Sequence, residues 1–173
     1  MAKVVLGVAV SLDGYIEGPG GAIDWCFTDQ DYGMASFIDD IGGIVMGRKS
    51  FEQMMQLGGN PWPDKPIYVF SRNASLEPAK GIHFVSGDLV SVIRELLRTI
   101  NRNLWLFGGG DLIAQCIELD LVDRYWLSVH PILLGGGMKL FPAEGHPRAL
   151  TLTDQKAYSS GLVSLTYSRV HEK

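Results

Sequence analysis

The chain has 173 residues, of which 46% are hydrophobic and 20% charged, with a formal net charge of -4 at pH 7. This composition excludes a disordered chain, and the length fits one domain over 1–173 with a substantial core. The acidic balance excludes a basic surface for nucleic acid, so an anionic ligand would depend on a few local charges and on backbone N–H groups.

The chain begins with a strand, a long loop and a helix. KVVLGVAV (3–10) is a continuous valine-rich run, which is typical of a strand buried on both faces. The glycine-rich segment 11–25 predicts a long loop without regular structure, and such loops are often functional. Thr28 is a candidate N-cap for a helix over 28–40, because acidic residues follow in the first turn.

Strands and helices then alternate as far as residue 118. The apolar runs predict strands at 42–47, 67–71, 81–86 and 104–107. The amphipathic segments predict helices at 48–57, from a cap at Asp88 to residue 100, and at 111–118. This alternation predicts parallel strands joined by right-handed crossovers.

The last third of the chain has a different pattern. Segments 124–134, 149–158 and 162–170 resemble strands with no helix between them. They predict antiparallel strands at one edge of the same sheet. The predicted fold class is therefore α/β, with a mostly parallel central sheet, antiparallel C-terminal strands and helices on both faces.

The cysteines and the N-terminal residues give no sign of an oxidising or membrane environment. Cys26 and Cys116 lie far apart and form no C-x-x-C pair, so a disulfide framework is not expected. The apolar run 4–10 is too short to span a membrane and lacks a basic region and a cleavage site. We expect a soluble cytoplasmic protein. His130 and His146, each followed by proline, are expected to be turn or strand-edge residues, because neither has the spacing of a metal-ligand pair.

The glycine triplet at 108–110 lies between a predicted strand and a predicted helix that starts at Asp111. The first N–H groups of a helix and its dipole attract anions, and glycines allow the backbone to approach a phosphate. The triplet alone fits a tight turn without a ligand equally well, because the full G-x-G-x-x-G fingerprint is absent.

Two other strand ends carry groups suited to phosphate. They comprise Gly47, Arg48, Lys49 and Ser50 after one strand, and Ser71 and Arg72 after the next. Cations at the start of a helix oppose its dipole unless an anion is near, although either arginine alone is more often a solvated surface cation. Three such ends on one sheet edge fit a dinucleotide with an extra phosphate, which is NADPH.

Six motifs carry a family resemblance. They are V-A-V-S-L-D-G-Y-I (8–16), I-D-W (23–25), V-M-G-R-K-S-F-E (45–52), V-F-S-R (69–72), L-F-G-G-G (106–110) and H-P-I-L-L-G-G-G-M-K-L-F (130–141). In this order they resemble the dihydrofolate reductase fold, and more closely the reductase domain of bifunctional riboflavin-biosynthesis proteins. The resemblance covers nearly the whole chain and implies a dihydrofolate reductase-like three-layer fold, NADPH as cofactor and a homodimer. It also implies cofactor contacts by residues 47–50, 71–72 and 108–111.

The resemblance implies an NADPH-dependent reductase similar to 5-amino-6-(5-phosphoribosylamino)uracil reductase, which transfers hydride to a small heterocycle-linked substrate. The zinc ligands H-x-E and P-C-x-x-C of the deaminase half are absent, so only the reductase function is expected. Two alternatives remain open: a dihydrofolate reductase acting on a pterin, and a non-catalytic nucleotide-binding protein of the same fold.

Hydride transfer from a nicotinamide requires orientation and a dry pocket more than protein acids or bases. We expect the nicotinamide near Val8, Ala9 and Ile16, with loop 11–25 closing over it and Trp25 as its anchor. Residues Gly135 to Gly137 fit either a second phosphate loop or a bend between late strands.

A proton is also needed, and four acidic residues are candidates, with water as the alternative donor. They are Asp13, Asp24, Asp29 and Asp31. Each has a competing structural interpretation: Asp13-Gly14 is a favoured turn pair, Asp24 fits a helix entry, and Asp29 and Asp31 fit acids that complement a helix dipole.

Overall fold

A computed structural model of the chain describes residues 2–72, 80–141 and 145–170. The strands are β1 Val4–Ser11, β2 Tyr15–Glu17, β3 Ile41–Gly47, β4 Ile67–Phe70, β5 Ile82–Val85, β6 Asn103–Gly108, β7 Arg124–His130, β8 Met138–Lys139, β9 Leu150–Ala157 and β10 Val163–Arg169. The α-helices are α1 Met34–Asp40, α2 Arg48–Gln56, α3 Leu89–Ile100 and α4 Gly110–Glu118, and a 3-10 turn spans Pro19–Gly21. None of the described helices is long and apolar enough to cross a membrane.

Eight of these strands form one sheet in the order β5-β4-β3-β6-β1-β7-β10-β9, and β2 pairs with β8 in a separate ribbon. The five pairings from β5 to β7 are parallel, whereas β10 is antiparallel to both β7 and β9. The predicted mostly parallel sheet with antiparallel C-terminal strands is confirmed. One detail differs, because β7 belongs to the parallel part through its pairing with β1.

Helices cover both faces of the sheet, and the alternation of side chains along β6 shows the two layers. Leu104 and Leu106 pack on the face that α3 and α4 cover, whereas Trp105 packs on the face of α1 and α2. Burying a large apolar side chain contributes about 1.5–3 kcal/mol, so both helix layers stabilise the sheet. The predicted three-layer α/β fold is confirmed.

Helix α1 starts six residues later than the sequence predicts, at Met34 rather than Thr28. The left-handed backbone of Gly33, with φ 88°, ends the preceding turn. The carboxylate of Asp31 then accepts hydrogen bonds from the N–H groups of Gly33 and Ala35 at 3.0 and 2.8 Å. Asp31 therefore satisfies the free N–H groups at this helix start that were assigned to Thr28.

Two further expectations were wrong. The segment 11–25 is not without regular structure, because it contains β2 and the 3-10 turn Pro19–Gly21. The strand predicted over 124–134 ends at His130, since Pro131 has no N–H to continue a ladder. The two-residue strand β8 was not predicted.

The β2–β8 ribbon requires glycine at position 137. Gly137 has φ 116°, and a Cβ there would overlap the carbonyl oxygen of Glu17. The N–H of Leu140 also donates to the carbonyl of Gly14 at 2.9 Å. The late glycine triplet therefore forms a close backbone contact with the early loop, which favours the bend over a phosphate loop.

Candidate active site

The sheet opens between its two central strands. The β1–β6 ladder joins Val4–Leu6 to 104–106 and stops there, whereas the β1–β7 ladder continues to Ser11. At the point of divergence the indole N–H of Trp105 donates to the carbonyl of Gly7 at 2.8 Å. Beyond it, the edge of β1 borders a cleft instead of a neighbouring strand, as expected at the switch point of an α/β sheet.

The cleft has a volume of ≈ 590 Å³. Its lining includes Ser50, Gly108 and Gly109, together with Val8 and Ala9 of β1. Ile16 and Asp31 also contribute to its wall, together with several aromatic side chains. Seven of the residues assigned to a site from the sequence therefore border one shared cleft.

Two helices begin beside this cleft. Met46 pairs with Gly108 in the β3–β6 ladder, so α2 and α4 start from adjacent strand ends. Neither helix has a side-chain N-cap, and the hydroxyl of Ser50 accepts a hydrogen bond from the N–H of Gly109 at 2.9 Å. Ser50 therefore holds the two helix starts together, and their remaining free N–H groups suit an anion.

The three glycines of the triplet differ in their surroundings. A Cβ at Gly108 or Gly109 would contact only the Ser50 hydroxyl, at 3.5 and 3.4 Å. A Cβ at Gly110 would lie 2.7 Å from the sulfur of Met138. The third glycine therefore packs closely against the Met138 side chain of β8, whereas the first two leave space for a ligand. Asp111 is exposed in the first turn of α4 and complements the dipole there.

The cations predicted to bind phosphate lie outside the lining of the cleft, at neighbouring strand ends. Gly47 of β3 pairs with Phe70 of β4, so Arg48 and Arg72 follow from adjacent strands at the same sheet edge. The guanidinium of Arg48 lies 3.7 Å from Glu52, and both side chains are about half exposed. Lys49 and Arg72 are exposed, and the hydroxyl-bearing Ser71 connects β4 to Arg72.

Asp13 has the geometry of a hydrogen-bond acceptor. Its carboxylate accepts from the Ser11 hydroxyl at 2.6 Å and from the N–H groups of Leu134 and Gly135 at 3.1 and 2.8 Å. The Ser11 hydrogen bond, assisted by the two N–H groups, lowers the pKa of Asp13 to about 2. Asp13 is therefore ionised at neutral pH and does not line the cleft, so the structure argues against its proposed role as the proton donor.

The three other acidic candidates have different surroundings. Asp24 is exposed and does not line the cleft. Asp29 accepts a hydrogen bond from the hydroxyl of Tyr32 at 2.8 Å, and it too lies outside the lining. Only Asp31 among the four borders the cleft.

The indole N–H of Trp25 donates to the carbonyl of Ala22 within the loop 11–25, which holds that ring in place.

His130 is a cleft residue that the sequence did not single out. It ends β7, as a strand-edge residue would, but it is only 3% exposed. Its Nε2 accepts from the N–H of Phe27 at 3.1 Å, and its Nδ1 lies 2.9 Å from the carbonyl of Ser128. These partners assign the proton to Nδ1, and burial lowers the pKa of His130, so the ring is neutral.

Six aromatic residues also line the cleft: Phe27, Tyr32, Trp62, Trp105, Phe107 and Trp126. Trp62 contacts Trp105 at 4.7 Å and Phe107 at 5.6 Å between ring centroids. Trp126 stacks at 4.3 Å on Phe37 of α1. The sequence offered one signal for these residues, since alternation along β6 places Trp105 and Phe107 on one face. The apolar run itself is typical of a buried strand and does not indicate that these rings line a cleft.

The strand order and the cleft beside β1 define a dihydrofolate reductase-like α/β protein. A dihydrofolate reductase from Enterococcus faecalis, solved with NADP(H) and RAB-propyl, shares this fold with a TM-score of 0.69 at 17% identity. That match covers 96% of each chain.

Residues 2–164 match the RibD C-terminal domain family, and the chain belongs to this family. The uncharacterized protein YyaP of Bacillus subtilis (strain 168) is 36% identical over 177 residues, which cover 95% of this chain and 94% of YyaP. A Shewanella sp. PV-4 protein, provisionally named a riboflavin biosynthesis protein, has a TM-score of 0.85 at 30% identity, covering 99% of this chain and 100% of that one. The predicted family resemblance is confirmed.

A bifunctional protein of Thermotoga maritima shows the same fold at 14% identity. It is a diaminohydroxyphosphoribosylaminopyrimidine deaminase/5-amino-6-(5-phosphoribosylamino)uracil reductase, and its TM-score is 0.76. The match covers 98% of this chain and 57% of that chain.

Proposed function

We propose that the protein is an NADPH-dependent oxidoreductase that transfers hydride to a small heterocyclic substrate. One observation supports this above the others. Two helix starts without side-chain caps, tied by Ser50 and Gly109, open on the same cleft as the free edge of β1. The family and the named reductase among its structural neighbours favour the same type of reaction.

The residues present fit the phosphates of a dinucleotide. The N–H groups at the start of α4, with the open space beside Gly108 and Gly109, suit the pyrophosphate. Arg48 and Arg72, at neighbouring strand ends, suit the additional phosphate of NADPH, because a guanidinium offers paired donors to phosphate oxygens. Lys49 and Ser71 would add to this second group of contacts.

The nicotinamide would lie along β1 at Val8 and Ala9, where the strand borders the cleft. When bound, the nicotinamide supplies the hydride. The protein would orient the two rings and exclude water by means of the aromatic walls. Of the four acidic candidates, Asp31 borders the cleft, so Asp31 or a water molecule bound to it would hold the proton.

A dihydrofolate reductase activity on a pterin is the second candidate, and the position of Asp31 favours it. That carboxylate lies in the cleft at the start of α1, where it can accept hydrogen bonds from a heterocycle. Tight methotrexate binding would favour the pterin. A non-catalytic nucleotide-binding protein of this fold would bind NADPH but would not oxidise it with any substrate.

The decisive experiment is a titration of NADPH and NADH by tryptophan fluorescence. Three of the four tryptophans, Trp62, Trp105 and Trp126, line the cleft and should report binding. We expect NADPH to bind more tightly, and Arg48→Ala to remove about 1.5–3 kcal/mol of that preference, as for a hydrogen bond to a charged group.

The matched control for that titration is Arg98→Ala. Arg98 also pairs with a glutamate on its own helix, Glu95 at 2.8 Å, but α3 does not line the cleft. The control should keep the wild-type preference. Equal affinities of the wild type for NADPH and NADH would contradict the assignment of the additional phosphate to the two arginines.

The homodimer implied by the resemblance stays a prediction. The sheet ends at β9, whose eight residues are all exposed and include Leu150 and Leu152. An edge strand of this kind can pair with a second copy of the chain. Analytical ultracentrifugation would give the oligomeric state directly, and a monomer over the whole concentration range would contradict the prediction.

A further inference from the structure

A second cavity lies on the opposite face of the sheet from the cleft, on the side that α3 and α4 cover. Its volume is ≈ 440 Å³. Side chains alternate along β7, so that Trp126, Ser128 and His130 line the cleft whereas Tyr125 lines this second cavity. The described linings of the cleft and of the second cavity share no residue. A ligand of the second cavity would therefore occupy a separate site.

Apolar side chains form much of the wall of the second cavity. Helix α4 contributes Ala114 and Ile117, and the lining also includes Phe141 and Leu150. The ring of Phe141 lies beside that of Tyr125, with 6.4 Å between the centroids. Small-molecule sites typically combine such apolar walls with a few polar groups that orient the ligand.

The hydroxyl of Tyr125 is a polar group of this kind. Tyr125 is only 3% exposed, and within the described ranges its hydroxyl makes no hydrogen bond. The hydroxyl is nevertheless not among the fully enclosed atoms that lack a partner, which in those ranges comprise only Nε of Arg169. Its residual exposure is therefore to the second cavity that Tyr125 lines. Burial raises the pKa of Tyr125, so the hydroxyl stays protonated and can donate to a ligand.

Arg148 supplies further donors at the second cavity but little uncompensated charge. Its Nε donates to Asp120 at 2.7 Å, and its two terminal nitrogens donate to the carbonyls of His146 and Glu118 at 3.0 and 3.1 Å. Each terminal nitrogen carries a second N–H that these bonds do not use. The carboxylates of Asp120 and Glu118, the latter 3.7 Å from the guanidinium, offset the positive charge.

We propose that the second cavity is a binding site for a small, uncharged aromatic molecule that carries a carbonyl oxygen. The carbonyl oxygen would accept hydrogen bonds from the hydroxyl of Tyr125 and from a remaining N–H of Arg148. The aromatic ring would lie against Ala114, Ile117 and Phe141. This site is separate from the cleft, so the proposal does not depend on the proposed reductase function.

The charges and rings around the second cavity select this class of ligand. An anion would be repelled by the carboxylates of Glu118 and Asp120, which already compensate Arg148, and a cation would face the donors of Arg148 and Tyr125. A carbonyl oxygen has two lone pairs and can satisfy both donors without adding charge. A planar ring suits the aromatic side chains of Tyr125 and Phe141, because rings stack or meet edge to face.

Three probes of similar size and shape test the proposal on the full-length protein. Acetophenone is uncharged and has a carbonyl oxygen, benzoate is an anion, and benzamidine is a cation at pH 7. NMR of labelled isoleucine methyl groups distinguishes the two sites, because Ile117 lines the second cavity whereas Ile16 and Ile23 line the cleft. We expect acetophenone to shift the Ile117 signal and to bind at least about fivefold more tightly than either charged probe.

Tyr125→Phe removes the hydroxyl and keeps the ring. We expect this variant to bind acetophenone about two- to tenfold more weakly, as for the loss of one hydrogen bond, and to keep the wild-type thermal midpoint because that hydroxyl has no protein partner to lose. Tyr167→Phe is the matched control, since Tyr167 pairs with Tyr125 in the β7–β10 ladder but does not line the second cavity. The control should bind acetophenone as the wild type does.

The wild-type titrations decide the proposal without any variant. An Ile117 signal that does not shift up to the solubility limit of acetophenone, or shifts confined to Ile16 and Ile23, would overturn the site. Tighter binding of benzoate or benzamidine at Ile117 would overturn the assigned ligand class. Equal acetophenone affinities of Tyr125→Phe and the wild type would overturn the role of the hydroxyl.

Discussion

The hydroxyl of Ser50 accepts a hydrogen bond from the backbone N–H of Gly109 at 2.9 Å, and the two residues are 59 positions apart in the sequence. Ser50 lies in the first turn of α2, and Gly109 immediately precedes α4. The contact fixes the distance between the two helix starts that are proposed to hold the cofactor phosphates. A loss of this contact should therefore affect binding more than it affects the fold.

Ser50→Ala tests this relationship. We expect a loss of about 0.5–1.5 kcal/mol in the free energy of unfolding, the usual contribution of one hydrogen bond, together with weaker NADPH binding. Urea denaturation and fluorescence titration measure the two effects. Ser91→Ala is the control. This variant also loses one hydroxyl hydrogen bond, to Asp88 at the start of α3, and neither residue lines the cleft. Unchanged NADPH affinity in Ser50→Ala would remove that hydroxyl from the cofactor site.

The second glycine triplet provides a test of the β2–β8 ribbon. Gly137→Ala would force a side chain into a left-handed backbone conformation and against the carbonyl of Glu17, so we expect it to cost about 3 kcal/mol or more. Gly136→Ala is the neighbouring control. Its Cβ would meet Pro19 only at 3.8 Å, and we expect a change within about 0.5 kcal/mol. Similar urea midpoints for the two variants would contradict the close contact between residues 137 and 17.

The sequence predicted the sheet and most helices because their apolar patterns are local. Asp88 caps α3 as predicted, through a hydrogen bond from the N–H of Ser91 at 2.9 Å. The start of α1 was not predictable in the same way, since Thr28 and Asp31 both resemble caps. The left-handed conformation of Gly33 decided between them, and sequence pattern does not specify it.

For the candidate site, the sequence predicted which strand ends lie together, but it did not predict most of the side-chain contacts. Parallel strands end at one edge, so the positions of Gly108 and Ser50 followed from the fold. Ser11 lies only two positions from Asp13, but the other two donors to Asp13 could not be predicted, because they come from residues 134–135, more than 120 positions away. His130 and Phe27 likewise meet only in the folded chain, so neither motif nor spacing pointed to them.

The lowered pKa of Asp13 predicts how the stability of the folded protein depends on pH. Its pKa falls from 3.8 to about 2 on folding, so the folded protein binds a proton less readily than the unfolded chain does. The stabilisation is therefore complete above about pH 4 and is lost as the pH falls towards 2. Asp13→Asn should lower the urea midpoint at neutral pH and should reduce the fall in midpoint between pH 4 and 2.

The comparison for that experiment is Asp24→Asn, since Asp24 is an exposed acid in the same loop. The urea midpoint of this variant should depend on pH as that of the wild type does. For Asp13→Asn, the urea midpoint at each pH is compared with that of the wild type, because Asp88 and Asp120 also have lowered pKa values and contribute to the pH dependence of both proteins. Parallel curves for Asp13→Asn and the wild type would show that Asp13 does not lock the loop to residues 134–135.

The hydrogen bond from the Phe27 N–H to His130 should depend on pH in a higher range than the contacts of Asp13 do. Burial lowers the pKa of His130 below 6.5, so the folded state binds a proton less readily than the unfolded chain. Its stabilisation is present above pH 6.5 and is lost as the pH falls through the lowered pKa, because protonated Nε2 cannot accept the Phe27 N–H. Hydrogen exchange at the Phe27 amide, corrected for the intrinsic rate at each pH, should show protection that decreases below this pKa.

Variants at two histidines separate this effect from general acid destabilisation. His130→Phe keeps a ring in the cleft but removes the acceptor, and we expect it to cost about 1–3 kcal/mol and to leave the Phe27 amide poorly protected at every pH. His83→Gln should behave as the wild type does, because His83 is exposed on β5 and stacks on Tyr68 at 5.2 Å. Protection of Phe27 that stays constant from pH 8 to 5 in the wild type would mean that the loop is held by ring contacts with Trp25 and Phe27 rather than by the Nε2 hydrogen bond.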